Sequence, residues 1–178
     1  TKGSRFDLSL INAQRGRIMS HSKLENQIQR GRLEWVFDNE DGFTDDVEWI
    51  ADIYGPYKIL DHPMEDYDGL DIGGIDSYDQ DIAESSTSEG SALIYRRFVS
   101  TDLASDYIIA EYTERPEAAE MFWNGCLKLA VYYNAKMLVE YTKIGILDYF
   151  KRQKALRYLK EKPKTAHAPG TISRNRYG

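Results

Sequence analysis

The sequence predicts an α/β fold: a mixed sheet whose first three strands are antiparallel and whose fourth lies parallel to the first, flanked by helices and preceded by a β-rich extension. Three observations predict it. Two apolar runs end on an acid, Leu70–Ile75 on Asp76 and Lys136–Val139 on Glu140. Two further apolar and β-branched runs lie between them, separated by one short turn. A stripe of apolar residues at steps of four, three and four then leads into the second acid-ended run, as in a helix that crosses back over a sheet.

The bulk numbers permit such a fold. The chain has 178 residues, 42% hydrophobic and 29% charged, enough for one domain or one domain with an extension. Its single cysteine, Cys126, excludes an intrachain disulfide and favours a reducing compartment. No apolar run approaches the length of a membrane span. The first residues, Thr1 to Arg5, include no initiator Met and no signal core follows, and Asn175 to Gly178 forms no terminating element. Either the initiator Met has been removed or the chain is a piece of a longer protein, and the C-terminal end also reads as that of a fragment.

Charge is unevenly placed. The net charge is -6, yet Asp61 to Glu89 holds ten acids and no Lys or Arg. Lys143 to Gly178 holds ten basic residues against two acids, and Thr1 to Arg32 seven against two. An acidic centre between basic ends suits a protein that gathers cations at its middle and a polyanion around it, and blocks of like charge also occur as plain solvated faces.

Three zones follow along the chain. In residues 1–66, Lys23–Arg30 reads as a short helix ended by Gly31. Arg32–Phe37, Val47–Ile50 and Tyr57–Leu60 read as strands between Asp, Asn and Gly turns. This zone is an extension expected to pack on the next. Residues 67–160 form the core. Leu70–Ile75 is a buried strand, Tyr78–Gly90 an acidic loop, and Ala92–Val99 and Tyr107–Tyr112 an antiparallel pair. Pro116 sits where a helix takes its first residue, with Glu117 and Glu120 in the first turn. Phe122, Cys126, Leu129 and Tyr133 form its apolar stripe, and Asn134 can take the left-handed conformation that ends it. Lys136–Glu140 is the fourth strand and Lys143–Leu159 a second, basic helix. Residues 161–178, with Pro163, Pro169 and Gly170, form a basic loop or tail that reads as truncated.

If the fourth strand lies beside the first, Asp76 and Glu140 stand at the same end of neighbouring strands, about 4.8 Å apart laterally. Each has an ordinary reading, Asp76 as a turn cap and Glu140 as a salt-bridge partner. Together they also form a pair of hard oxygen donors of the kind that holds Mg²⁺ or Mn²⁺, and two such ions activate water and stabilise a leaving oxygen in phosphodiester hydrolysis. Of Asp79, Asp81, Glu84 and Glu89 most read as solvated and one as an outer ligand, with Asp79 or Asp81 the candidate. Glu111 is read as face-exposed, with a place near the two acids as the other option. His21, His62 and His167 make no zinc pattern with Cys126, and neither phosphate-binding glycine motif is present. The basic residues of the last helix, Lys143, Lys151, Arg152 and Lys154, are the candidate DNA contacts.

Several runs together resemble the C-terminal half of tailed-phage large terminase subunits: Tyr57–Pro63, Gly74–Asp81, Gly90–Ala92, Ile109–Pro116, Tyr132–Glu140 and Gly145–Phe150. The resemblance spans about Arg32 to the end and rests on order and spacing. It implies an RNase H-like, two-metal endonuclease that cuts double-stranded viral DNA concatemers during genome packaging, with Asp76 and Glu140 as ligands. It also implies an ATPase domain in the full-length protein, portal and small terminase subunit as partners, and a place in the cytoplasm of the bacterial host. Two departures stand out. The family has Glu-Asn where this chain has Glu140-Tyr141, and its third acidic ligand, an Asp on a later helix, is expected beyond Gly178. Impaired cutting by this piece alone is the corresponding expectation. Alternative readings are an RNase H-like module that binds DNA or a motor without cutting, and another RNase H-like enzyme such as a recombinase or transposase.

Overall fold

A computed structural model describes residues 28–38, 42–64, 67–78, 89–98, 106–140 and 144–161. Among the described residues seven strands form one mixed sheet: β1 (Gln29–Asp38), β2 (Gly42–Ala51), β3 (Tyr57–Ile59), β4 (Asp71–Asp76), β5 (Gly90–Arg96), β6 (Tyr107–Glu114) and β7 (Lys136–Val139). Their order across the sheet is β2-β1-β3-β6-β5-β4-β7. Helix α1 (Ala119–Tyr132) joins β6 to β7, and helix α2 (Ile144–Arg152) and a 3-10 turn (Leu156–Tyr158) follow.

The expected core topology is present. β4, β5 and β6 pair antiparallel in sequence order, with a bulge between Ile94 and Tyr95, and β7 lies parallel to β4. The parallel placement follows from α1, since a strand reached through a crossover helix returns in the direction of its partner. The strands of the first zone continue this same sheet, because β3 pairs with β6 and β1 with β3.

The stripe foreseen on α1 is its buried face: Phe122, Cys126 and Leu129 are fully buried and Tyr133 nearly so. Burying Phe122 and Leu129 contributes about 1.5–3 kcal/mol each. They meet Ala92, Ile94, Ile75, Met137 and Val139 of the sheet and Ile146 and Phe150 of α2 in one core. Burial alternates along β4 and β7, so their other face is open: Ile72, Leu138 and, on β6, Ile108 are 40%, 53% and 50% exposed. No described helix is long and apolar enough to cross a membrane.

Three local expectations are corrected. Gln29 and Arg30, read as the end of a helix, belong to β1 and pair with Ile59 and Lys58, a distant partnership that overrides local pattern; Lys23–Asn26 and Gln27 lie outside the described residues. α1 starts at Ala119 and not at Pro116, because Ala118 is extended, at φ −110° and ψ 134°. The second helix ends at Arg152 and does not run to Leu159. Lys154 turns left-handed at φ 55°, and the Ala155 N–H closes the end on the Phe150 carbonyl at 2.8 Å.

A buried ion pair pins the end of the sheet away from Asp76. Arg96 Nε and Nη2 donate to the two Asp71 carboxylate oxygens at 3.0 and 3.2 Å, and Nη2 also reaches the His62 carbonyl at 3.0 Å. Both side chains are buried, and the Tyr107 hydroxyl and Arg96 converge on Asp61. This ties the segment before β4 to β5 and β6.

Candidate metal centre

β4 and β7 run in register from Ile72 opposite Lys136 to Ile75 opposite Val139. One step further in each strand direction stand Asp76, the last residue of β4, and Glu140, the first after β7. Both are exposed, on the open face. Successive residues of a strand point to opposite faces, so the burial of Ile75 and Val139 against the helices turns the following acids outward.

The two acids line one shallow depression of about 520 Å³. Its floor is Gly74, which stands between Leu138 on β7 and Leu93 on β5; Ser91 pairs with Asp76 across the β4–β5 ladder. A Cβ added at Gly74 would meet nothing, whereas one at Gly73 would collide with Met137 and the Leu93 carbonyl. The two glycines therefore differ: Gly73 permits close packing beneath the sheet, and Gly74 keeps the floor of the depression bare. Among the described residues neither Asp76 nor Glu140 has an ion-pair partner.

The chain leaving Asp76 is held from below. Ser77 is buried, and its hydroxyl accepts the indole N–H of Trp123 at 3.0 Å while donating to the Tyr78 carbonyl at 3.1 Å. A run of rings, Tyr57–Tyr112–Phe122–Tyr78, with centroid separations of 4.6, 5.2 and 5.3 Å, supports the Tyr78 side, and Arg115 lies over the Tyr78 ring at 4.7 Å. Burial pushes the Tyr57 and Tyr112 hydroxyls well above the usual phenol range, so both stay neutral donors: Tyr57 to the Gly125 carbonyl and Tyr112 to Glu114.

The other sequence candidates fall elsewhere. Asp79, Asp81 and Lys143 lie outside the described residues, as do Glu84, His21 and His167. Glu111 is half-exposed and accepts from Lys58 at 3.2 Å and from Thr113 at 3.0 Å. Lys151, Arg152 and Lys154 are at and beyond the far end of α2, which packs on the buried face of the sheet; none of them lines the acidic depression. Among the described residues no group of three or more His, Cys, Asp or Glu side chains is arranged to hold a metal ion. Sequence reasoning missed Ser77, Ser91 and Trp123. Ser77 adjoins Asp76 in the chain, but Trp123 is linked to it only through the packing of α1.

Comparison of the chain with protein families, with characterised proteins and with solved structures finds no match.

Proposed function

We propose that the chain is the nuclease part of a DNA-packaging enzyme: an RNase H-like, metal-dependent endonuclease domain acting on double-stranded DNA. The observation that carries this reading is the level placement of Asp76 and Glu140 on one depression of the open face, at the ends of adjacent parallel strands. The mixed sheet, with three antiparallel strands and a fourth parallel to the first, is compatible with an RNase H-like arrangement. The likeness to tailed-phage large terminase subunits in the order of its motifs points the same way, and with it come the packaging ATPase, portal and small terminase subunit as partners and the bacterial host cytoplasm as the place of action.

The donor set fits a hard divalent cation in part. Two exposed carboxylates with no cationic partner among the described residues offer oxygens to Mg²⁺ or Mn²⁺, with Asp79 or Asp81 as candidates for a further ligand. Bound there, such ions supply activation of a water and charge stabilisation at the scissile phosphate. Asp76 and Glu140 hold the negative charge that gathers them. Ser77 and Trp123 fix the level of Asp76, and the bare floor at Gly74 leaves room for a backbone to approach.

The test is nicking of supercoiled plasmid with Mn²⁺, alongside the melting temperature with and without the metal. Mn²⁺ should raise the melting temperature of the chain and not of Asp76→Ala or Glu140→Ala. Nicking by Asp76→Ala at the unsubstituted rate sinks the assignment. A second reading, an RNase H-like module that binds DNA or a motor without cutting, is favoured by the lack of a third clustered acid among the described residues. A salt-sensitive DNA shift without metal-dependent nicking identifies it.

A further inference from the structure

Six lysines lie among the described residues, and they divide by position. Lys58 and Lys128 are ion-paired, with Glu111 at 3.2 Å and Glu34 at 3.0 Å. Lys136, Lys151, Lys154 and Lys160 have no ion-pair partner among the described residues, and all belong to β7 or to the chain that follows it. Of these four, Lys154 lies just past the far end of α2.

A depression of about 450 Å³ opens there, between α1, the end of α2 and the 3-10 turn. Arg152, Lys154 and Arg157 bring three cations to it, Gln153 an amide, and Trp35 and Tyr158 aromatic rings. The Trp35 ring is fixed, since its N–H donates to Asn124 Oδ1 at 3.1 Å, an oxygen that also accepts from the Tyr149 hydroxyl at 3.2 Å. Among the described residues, Glu120 pairs with Arg152 at 2.6 Å. Glu161 lines a neighbouring depression beside Arg157.

The backbone supplies a second observation. Helices α1 and α2 end in the same way, on a left-handed residue followed by an N–H that reaches back to the last turn: Asn134 then Ala135 to Ala130, and Lys154 then Ala155 to Phe150. Asparagine tolerates this conformation and glycine adopts it freely, but lysine resists it. At Lys154 the chain keeps an ammonium group where the turn alone calls for glycine, and that residue lines the cationic depression. A bulky residue held in this conformation marks a candidate functional position.

We propose that this depression binds a phosphate group, carried by a nucleic-acid backbone or by a free nucleotide. Guanidinium and ammonium groups supply charge and hydrogen bonds to the phosphate, and Trp35 a surface against which a base or sugar packs. The site lies on the helix-covered side of the sheet, away from Asp76 and Glu140, and stands independently of the metal reading.

The test uses the whole chain with Lys154→Gly, Arg157→Gln and, as a control on a distant ion-paired lysine, Lys58→Gln. Labelled duplex DNA is titrated by anisotropy over a range of salt, and ADP by tryptophan fluorescence. Lys154→Gly relieves the left-handed strain, so it should melt no lower than the parent, and a loss of binding there is not a loss of fold. If the phosphate belongs to a nucleic acid, the slope of log affinity against log salt falls by about 0.9 in each of the two depression variants and not in Lys58→Gln. If it belongs to a free nucleotide, the ADP response is lost in those two variants while the duplex titration is unchanged. Parent-like binding of both ligands by Lys154→Gly and Arg157→Gln, or no binding of either by the parent, overturns the proposal.

Discussion

The indole N–H of Trp123 on α1 donates to the hydroxyl of Ser77, the residue that follows the metal-ligand candidate Asp76, at 3.0 Å through the core. A buried donor on the helix thereby sets where the chain leaves β4. Trp123→Phe keeps an aromatic ring but removes the donor, leaving the buried Ser77 hydroxyl and the Tyr78 carbonyl, 3.3 Å from the same N–H, without it. We expect a stability loss of about 1–3 kcal/mol by urea denaturation, and a fall in Mn²⁺-dependent nicking larger than the fall in DNA affinity. Equal falls in both would make Trp123 a purely structural residue.

The Arg96–Asp71 pair yields a prediction about stability alone. Asp71→Leu leaves a buried guanidinium without its two-pronged acceptor and should cost about 3–5 kcal/mol. Adding Arg96→Met to that variant should recover much of the loss, because an apolar pair of similar volume removes the uncompensated charge. Urea midpoints of the parent, the single and the double variant test this; a double variant no more stable than the single one contradicts it.

Gly74 separates folding from function. A side chain there meets open space, and replacing a strand glycine removes an entropic cost, so Gly74→Val should be stabilised by about 0.5–1 kcal/mol. The same side chain stands on the floor between Leu138 and Leu93, so DNA cutting should fall by about tenfold or more, a barrier of roughly 1.4 kcal/mol or above. Thermal melts and plasmid nicking on one preparation read both quantities. A variant that is more stable and fully active would remove the depression from the mechanism.

His62 gives the fold a dependence on pH. Burial lowers its pKa below the usual 6.5, with Asp61 opposing, and its ring bonds the Tyr132 hydroxyl at 2.8 Å and Gln29 at 3.3 Å, with the Trp49 ring edge-on at 5.8 Å. The folded protein therefore binds this proton less readily than the unfolded chain. The stabilisation is complete above pH 6.5 and is lost as pH falls through the lowered folded value. His62→Gln should lose less stability than the parent between pH 7.5 and 5.5, by urea midpoint. An identical loss in both proteins would assign the acid sensitivity to other groups.

How far the sequence reveals this structure depends on the range of the interaction. The acid-ended runs announce β4 and β7 because a short apolar run is a local signal, although a reading of β4 as wholly buried misses the exposed face that carries Ile72 and Leu138, and the crossover through α1 then makes them parallel neighbours. Phe122, Cys126 and Leu129 are legible for the same reason, on a helical period. Gln29 and Arg30 are not, because what makes them strand is pairing with β3, nearly thirty residues away. The end of α2 is hidden because a left-handed lysine carries none of the glycine or asparagine signal that marks Asn134. The Ser77–Trp123 bond lies beyond any spacing rule, since it exists only once α1 has packed on the sheet.

The parallel contact between β4 and β7 also has a temporal meaning. Asp76 is synthesised before β5, β6 and α1, and Glu140 after all three. A growing chain therefore carries one acid of the pair while the intervening strands and helix are still being made, and the second arrives only as β7 docks beside β4. Closing so long a loop is entropically costly and is compensated by contacts that exist only in the assembled core. The acidic pair is thus a marker that β7 has docked: a nascent chain that stops before β7 can present Asp76 but not a pair of carboxylates.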